Sequence, residues 1–154
     1  MKSVRALIGM SAVCRESGLK IGRVTRVLLD EQLRSVSGVW VCGRRGSLRF
    51  IPAREMDMIG DVAVFVRSGG GKRAEGVPMG IRRAFNSAGM LIGAAVGAYL
   101  NEETLEIISL EISLGFWEDI ARGRQLVRDF AVRLPEGDVT VIGEGETEDE
   151  VGTD

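Results

Sequence analysis

Histidine is missing altogether from the 154 residues. Its absence removes imidazole general bases, Ser-His-Asp and Cys-His nucleophiles, and His-ligated zinc. Cysteine is nearly as scarce: Cys14 and Cys42 stand alone, with no CxxC spacing. They read as two small apolar side chains in a reducing compartment, the other reading being a disulfide or redox pair. Aromatic residues are only 5% of the chain, so the stacking platforms of single-strand nucleic-acid binding are in short supply. Apolar runs are short too. The longest, Met90 to Leu100, falls well under the ~18 residues of a membrane span. Near the start, Arg5 breaks an apolar stretch that is already too short for a signal peptide. These absences predict a soluble, cytoplasmic protein with no membrane insertion.

What the chain does have is glycine, 21 residues, about twice average usage. That favours tight turns and β structure over long helices. With 45% hydrophobic and 27% charged residues, the composition is that of an ordinary globular protein, able to bury a core without metal or disulfide. Charge is unevenly spread. Glu144, Glu146, Glu148, Asp149, Glu150 and Asp154 lie in residues 143–154 with no basic residue among them. This segment reads as a disordered acidic tail. Residues 1–142 are left with a net +4, well short of the basic stripe of a dedicated nucleic-acid binder.

A stretch rich in glycine, residues 68–79, divides the chain as a flexible linker. The two sides resemble each other. Gly18-Leu19-Lys20-Ile21-Gly22 leads to Leu29-Asp30-Glu31, Leu33 and Val36-Ser37; Gly89-Met90-Leu91-Ile92-Gly93 leads to Leu100-Asn101-Glu102, Leu105 and Ile108-Ser109. Gly60-Asp61-Val62-Ala63-Val64 and Gly137-Asp138-Val139-Thr140-Val141 close the two series. Three matches in one order predict a duplicated unit of short strands. Asp30-Glu31 and Asn101-Glu102-Glu103 mark hairpin turns, and Gly22 and Gly93 mark bulges inside apolar strands. Ile108, Leu110, Ile112 and Leu114 alternate with Ser109, Glu111 and Ser113 as one two-faced strand. Only the second half carries an insertion, from Gly115 to Gly123. Glu118 and Asp119 in a first turn, Arg122 in a last turn and Gly123 at the stop predict a short helix there.

The series Gly18-x-x-Ile21-Gly22-x-Val24, Leu28-Leu29-Asp30, Phe50-Ile51-Pro52 and Ile59-Gly60-Asp61-Val62-Ala63-Val64 resembles the PRC-barrel family. The second half repeats Gly89-x-x-Ile92-Gly93, with Arg128 where the family-like proline would stand. The resemblance implies an all-β fold of two small antiparallel PRC-type β-barrels, with one short helix in the second. The barrels would span residues 1–67 and 80–142. It also implies a binding module. Members of the family include the cytoplasmic domain of the photosynthetic reaction-centre H subunit and the C-terminal domain of a ribosome-maturation factor. No catalytic constellation belongs to the barrel.

Four patterns compete as sites. Gly69-Gly70-Gly71-Lys72-Arg73 follows an apolar strand but lacks the first Walker glycine, the Ser or Thr after the lysine, and a helix beyond. Paired carboxylates (Glu102-Glu103, Glu118-Asp119, Asp57-Asp61) sit in turns or at a helix start, where charge is solvated. They form no D-x-D-x-D-G calcium loop. Arg44, Arg45 and Arg49 around a turn, with Lys72 and Arg73, could contact phosphate or RNA, against the plainer reading of solvated turn charges. Phe116, Trp117 and Ile120 on the short helix read either as a partner surface or as internal packing. The chain is therefore expected to be a non-enzymatic adaptor or scaffold mediating protein–protein interaction, with a homodimer as one form of it and with no cofactor and no metal. The alternative expectation is an RNA- or ribosome-associated factor.

Overall fold

The computed structural model describes residues 1–143 and 146–147, and for Phe116, Trp117, Glu146 and Thr147 the backbone alone. The architecture is all-β, with one of its two sheets curled into a half-barrel. The first half supplies β1 (Lys2–Ser3), β2 (Ser11–Cys14), β3 (Lys20–Leu29), β4 (Val36–Cys42), β5 (Leu48–Pro52), β6 (Met56–Ile59), β7 (Ala63–Val66) and β8 (Val77–Pro78). The second supplies β9 (Arg82–Phe85), β10 (Leu91–Leu100), β11 (Ile107–Ser113), the helix α1 (Phe116–Arg122), β12 (Gln125–Val127), β13 (Phe130–Arg133), β14 (Asp138–Val141) and β15 (Glu146–Thr147). Apart from Glu146–Thr147, which pairs with Gln125–Leu126, the acidic segment expected to be disordered lies outside the described residues.

The duplication is visible in strand order. One sheet runs β5-β4-β3-β2-β7-β6; the other, read in the same sense, runs β12-β11-β10-β9-β14-β13. Neighbouring strands are antiparallel except for one pair in each sheet. Ser11–Cys14 runs parallel to Ala63–Val66, and β14 runs parallel to β9. The hairpins β6–β7 and β13–β14 thus return beside β2 and β9, an arrangement that alternation in sequence does not reveal.

Bulges fall at matching places. Ala12 pairs with Gly22 and Val13 with Lys20, leaving Ile21 as the extra residue; Phe85 pairs with Leu91 and Ala84 with Gly93, leaving Ile92. The glycine after each bulge is required by its neighbour. A Cβ on Gly22 would lie 2.3 Å from the Cys42 carbonyl oxygen, and one on Gly93 2.1 Å from that of Ser113. Any side chain there would push apart two strands whose amides and carbonyls must stay paired.

A third bulge corrects the register expected from the sequence. Leu28 pairs with Gly38 and Leu29 with Val36, so Ser37 is extra. The face turned inward changes at that point, and Val36, Gly38, Val39 and Val41 are all buried. Strand β11 repeats the same pattern with Ile107, Ser109, Leu110 and Ile112 buried. Val36 therefore corresponds to Ile107, not Ile108, and Ser109 faces the core where simple alternation places it outside. The two turns before these strands absorb the slip. Leu33 and Leu105 each adopt a left-handed conformation, with φ 55° and 63°, a state that leucine enters only when its surroundings impose it.

The chain divides into two compact units whose bounds differ from the sequence halves. Unit 1 gathers Met1–Pro78 with Leu100–Ile107; unit 2 holds Met79–Tyr99 and Ile108–Asp154. Within unit 1, Val36 N donates to Leu105 O at 2.9 Å and Ile107 N to Arg34 O at 2.8 Å. The backbone groups of the turn segment are thus satisfied there. The stretch 68–79 also belongs to unit 1 up to Pro78 and is fastened rather than free. Gly71 and Phe50 exchange backbone hydrogen bonds of 2.7 and 2.9 Å, while Val77 and Pro78 pair with Leu29 and Leu28.

The core of unit 1 is formed by Leu7, Ala12, Val24, Leu29, Leu33, Val39, Val41, Phe50, Ile51, Val64 and Val66, that of unit 2 by Ala84, Ala95, Leu110, Ile112, Leu126, Val127, Phe130 and Val139. Each large member contributes about 1.5–3 kcal/mol by leaving water. Valine and isoleucine dominate because branched side chains fit a pleated surface.

Candidate functional site

The residues that could do chemistry are mostly held in structural pairs. Asp57, whose side chain is only 11% exposed, accepts from Arg15 and from Arg67. The hydrogen bond from Arg15, then that from Arg67, holds its carboxyl below the usual range. That is the wrong direction for a general acid at neutral pH. Asp61, the other member of that pair, is fully exposed and lies 4.0 Å from Lys2. Asp119 accepts from Ser113 Oγ at 2.6 Å and Leu114 N at 3.1 Å. The Ser113 hydroxyl is the main reason its carboxyl also titrates low. It anchors helix α1 to the strand before it. Among the described residues, no group of three or more Cys, Asp and Glu side chains could hold a metal ion.

Cys14 and Cys42 are free and half-buried. They lie on β2 and β4, with β3 between them. Two inter-strand spacings, about 9–10 Å, exceed the ~7 Å limit for a disulfide, so the pairing alternative is overturned. The Ser17 hydroxyl lowers the Cys14 thiol below its ordinary value. The phosphate-loop pattern also fails. Gly70 lies close against Phe50, where a Cβ would meet the Phe50 carbonyl oxygen at 2.4 Å, and the segment continues into strand β8 rather than a helix.

What remains is a cationic corner of unit 1. Strand β4 ends at Cys42 and turns through Gly43–Ser47 into β5. Gly43 N donates to Ser47 O at 2.7 Å, and Ser47 Oγ to Arg44 O at 3.2 Å. Arg45 sits at the tip with φ 61°. Beside this turn opens a cleft of about 310 Å³ lined by Ile21, Val41, Gly43, Ser47, Arg49 and Gly69. A second, of about 380 Å³, shares Ile21 and Gly43 and adds Lys20, Gly22, Arg23, Cys42 and Arg44. Among the described residues, four cationic side chains and no carboxylate line this ground.

Although among the described residues Arg5, Arg26, Arg73 and Arg133 form no ion pair, several arginines elsewhere have acidic partners: Arg54 with Glu75, Arg83 with Asp138, Arg122 with Glu118, and Arg124 with Glu111 and Asp119. Those at the corner do not. Arg23 donates to Gly9 O at 2.9 Å and Arg49 to Gly70 O at 3.4 Å. Among the described residues, no ion pair forms at Lys20, Arg23, Arg44, Arg45 or Arg49.

Of the residues expected from sequence to contact phosphate, Arg44 and Arg49 line the clefts and Arg45 tops the adjoining turn. Lys72 and Arg73 are exposed beyond Gly71 and line neither cleft. Lys20 and Arg23 are the members that sequence reasoning missed. Period-two alternation separates positions 20 and 23 onto opposite faces; the bulge at Ile21 brings both to one cleft. A basic residue on each side of an Ile-Gly bulge was the available signal.

Unit 2 builds the equivalent corner from other residues. Leu91 and Ala94 stand where Lys20 and Arg23 stand in unit 1, and helix α1 replaces the Arg44–Gly46 turn. Met90 is 65%, Leu91 62% and Ile120 64% exposed. The helix expected between Gly115 and Gly123 forms over Phe116–Arg122. The side chains of Phe116 and Trp117, the other members of that candidate surface, lie outside the described residues.

Among the described residues no helix is long and apolar enough to cross a membrane. No protein-family model matches the chain, and no curated protein matches it in sequence.

Proposed function

We propose that this chain is a tandem PRC-barrel-type binding protein, a non-enzymatic adaptor or scaffold that holds protein partners. One observation carries the reading: a six-strand order occurs twice, and the two copies diverge at the same corner, cationic in unit 1 and apolar in unit 2. A repeated framework with unlike corners supplies two docking surfaces of different chemistry. Met90 and Leu91, adjacent in the chain and both exposed, are the apolar groups that the corner of unit 2 offers to a partner.

The test is capture of the tagged full chain from its native lysate, with and without nuclease, read by mass spectrometry. Partners retained after nuclease treatment are the expected result. Loss of every partner on nuclease treatment would overturn it. The unpaired cations of unit 1 favour a second reading, an RNA- or ribosome-associated factor. That reading requires RNA affinity that falls steeply with salt, as counterions released from phosphate demand. Self-association into a homodimer belongs to the same proposal and is read by sedimentation equilibrium.

A further inference from the structure

Resting on the binding-module reading, we infer that the corner cleft of unit 1 is the docking site for an acidic protein segment carrying apolar side chains. Charge is the first argument. Among the described residues, Lys20, Arg23 and Arg44 line one cleft and Arg49 the other, the two share Ile21 and Gly43, no carboxylate lines either, and all four cations are exposed. The whole chain carries −2, so attraction of an acidic partner must be local to this corner rather than a property of net charge.

The apolar half of the ligand follows from the lining and the rim. Ile21 and Val41 line the same cleft as Arg49, and Ile21 also lines the cleft that holds Lys20, Arg23 and Arg44. Leu48, 55% exposed, stands across from Cys42 in the β4–β5 ladder, and Leu19, 68% exposed, directly precedes Lys20. Volumes of about 310 and 380 Å³ sit at the small end of ligand sites, enough for a few side chains of a bound segment. Among the described residues no aromatic side chain lines either cleft, so those residues offer no platform for the stacking that single-stranded nucleic acid relies on.

The repeat supplies the last argument. The same framework is built in unit 2 with Leu91 and Ala94 at the positions of Lys20 and Arg23, and the arginines near that corner, Arg122 and Arg124, are paired with carboxylates. Folding of the corner therefore does not require unpaired cations. In unit 1 they are a feature of the surface, available to an outside partner.

The experiment is fluorescence anisotropy on the full chain with a labelled peptide that alternates leucine with aspartate and glutamate. A counterpart with serine for leucine, another with asparagine and glutamine for the acids, and labelled poly-uridylate serve as comparisons. Saturable binding of the acidic-leucine peptide, weaker for each of the others, is expected. The double variant K20E/R44E should weaken it at least ~10-fold, since truncated or reversed charge pairs in a partly desolvated site cost that much or more. Leu48→Ser should weaken the leucine peptide while leaving the serine counterpart unchanged. Arg133→Glu, an exposed position in unit 2, controls for bulk charge. Circular dichroism verifies that each variant is folded.

No peptide binding, binding indifferent to K20E/R44E, equal loss in Arg133→Glu, or tighter binding of poly-uridylate would each overturn the inference. Failure of the peptide experiment while nuclease-resistant lysate partners are retained would overturn the cleft assignment and leave the adaptor reading standing. Loss of all nuclease-resistant partners from the wild-type chain would remove that reading as well.

Discussion

Replacing Gly22 or Gly93 by alanine adds a single methyl group, and the structure fixes what it meets. At position 22 the new Cβ lies 2.3 Å from the Cys42 carbonyl oxygen and 2.7 Å from a Val41 methyl; at 93 it lies 2.1 Å from the Ser113 carbonyl oxygen. Both contacts fall about 1 Å inside ordinary van der Waals separation, and the obstructing oxygens belong to backbone that cannot swing aside as a side chain can. Relief must come from parting two strands, one of which follows a bulge. Overpacking of this kind costs roughly 1–3 kcal/mol. Backbone obstruction puts both variants in the upper half of that range, about 2–3 kcal/mol. Gly69→Ala and Gly71→Ala are the controls, since a Cβ at either meets nothing within 4 Å. They should stay within about 0.5 kcal/mol of the parent, or gain slightly from a stiffer unfolded chain. Urea unfolding followed by circular dichroism measures all four. Gly22→Ala and Gly93→Ala as stable as Gly69→Ala would refute the close strand approach, and with it the correspondence of the two bulges.

Three further perturbations follow from the packing and the ion pairs. Phe50 is 1% exposed and meets Trp40 edge-on, with ring centroids 5.5 Å apart. Phe50→Ala should cost about 3–5 kcal/mol in urea unfolding and shift Trp40 emission; a loss under about 1 kcal/mol would contradict its place in the core. Ser109 is buried, and its hydroxyl finds no hydrogen-bond partner among the described residues. Ser109→Ala should therefore raise stability by about 1 kcal/mol, and a destabilised variant would mean that the hydroxyl is satisfied. Asp57 titrates below its ordinary value because of Arg15 and Arg67. Its contribution is present above the unfolded carboxyl value of 3.8 and fades as pH falls through the lower folded value. Urea midpoints measured from neutral pH down to about pH 2 should show a steeper acid loss in the parent than in Asp57→Asn; parallel profiles would remove the ion pair from the account.

The corner cleft shows how far sequence reading reaches and where it stops. Arg44, Arg45 and Arg49 were legible because they crowd a turn between two apolar runs. Lys20 and Arg23 were not, because a strand of period two puts them on opposite faces and only the Ile21 bulge joins them. The register of Ile107–Ser113 was misread for the same reason. An extra residue at the matching place in the first half, Ser37, reverses which face is buried, and the pattern of apolar residues alone does not record it. The 68–79 stretch reads as a free linker by composition. Two of its glycines, Gly70 and Gly76, let backbone lie against Phe50 and Leu29, and a composition cannot distinguish close approach from freedom.

The sequence by itself determined the all-β class, the duplication, the hairpin turns, the two bulge glycines and the short helix after Leu114. All of these rest on local causes: alternation, turn propensity, capping and the conformational range of glycine. Only the tertiary structure decided the parallel strand pair in each sheet, the bounds of the units and the gathering of Lys20, Arg23 and Arg44 on one cleft with Arg49 on the other. Those depend on which distant backbone groups satisfy one another. That choice is made by packing across strands far apart in the chain, where the local pattern of either strand is silent.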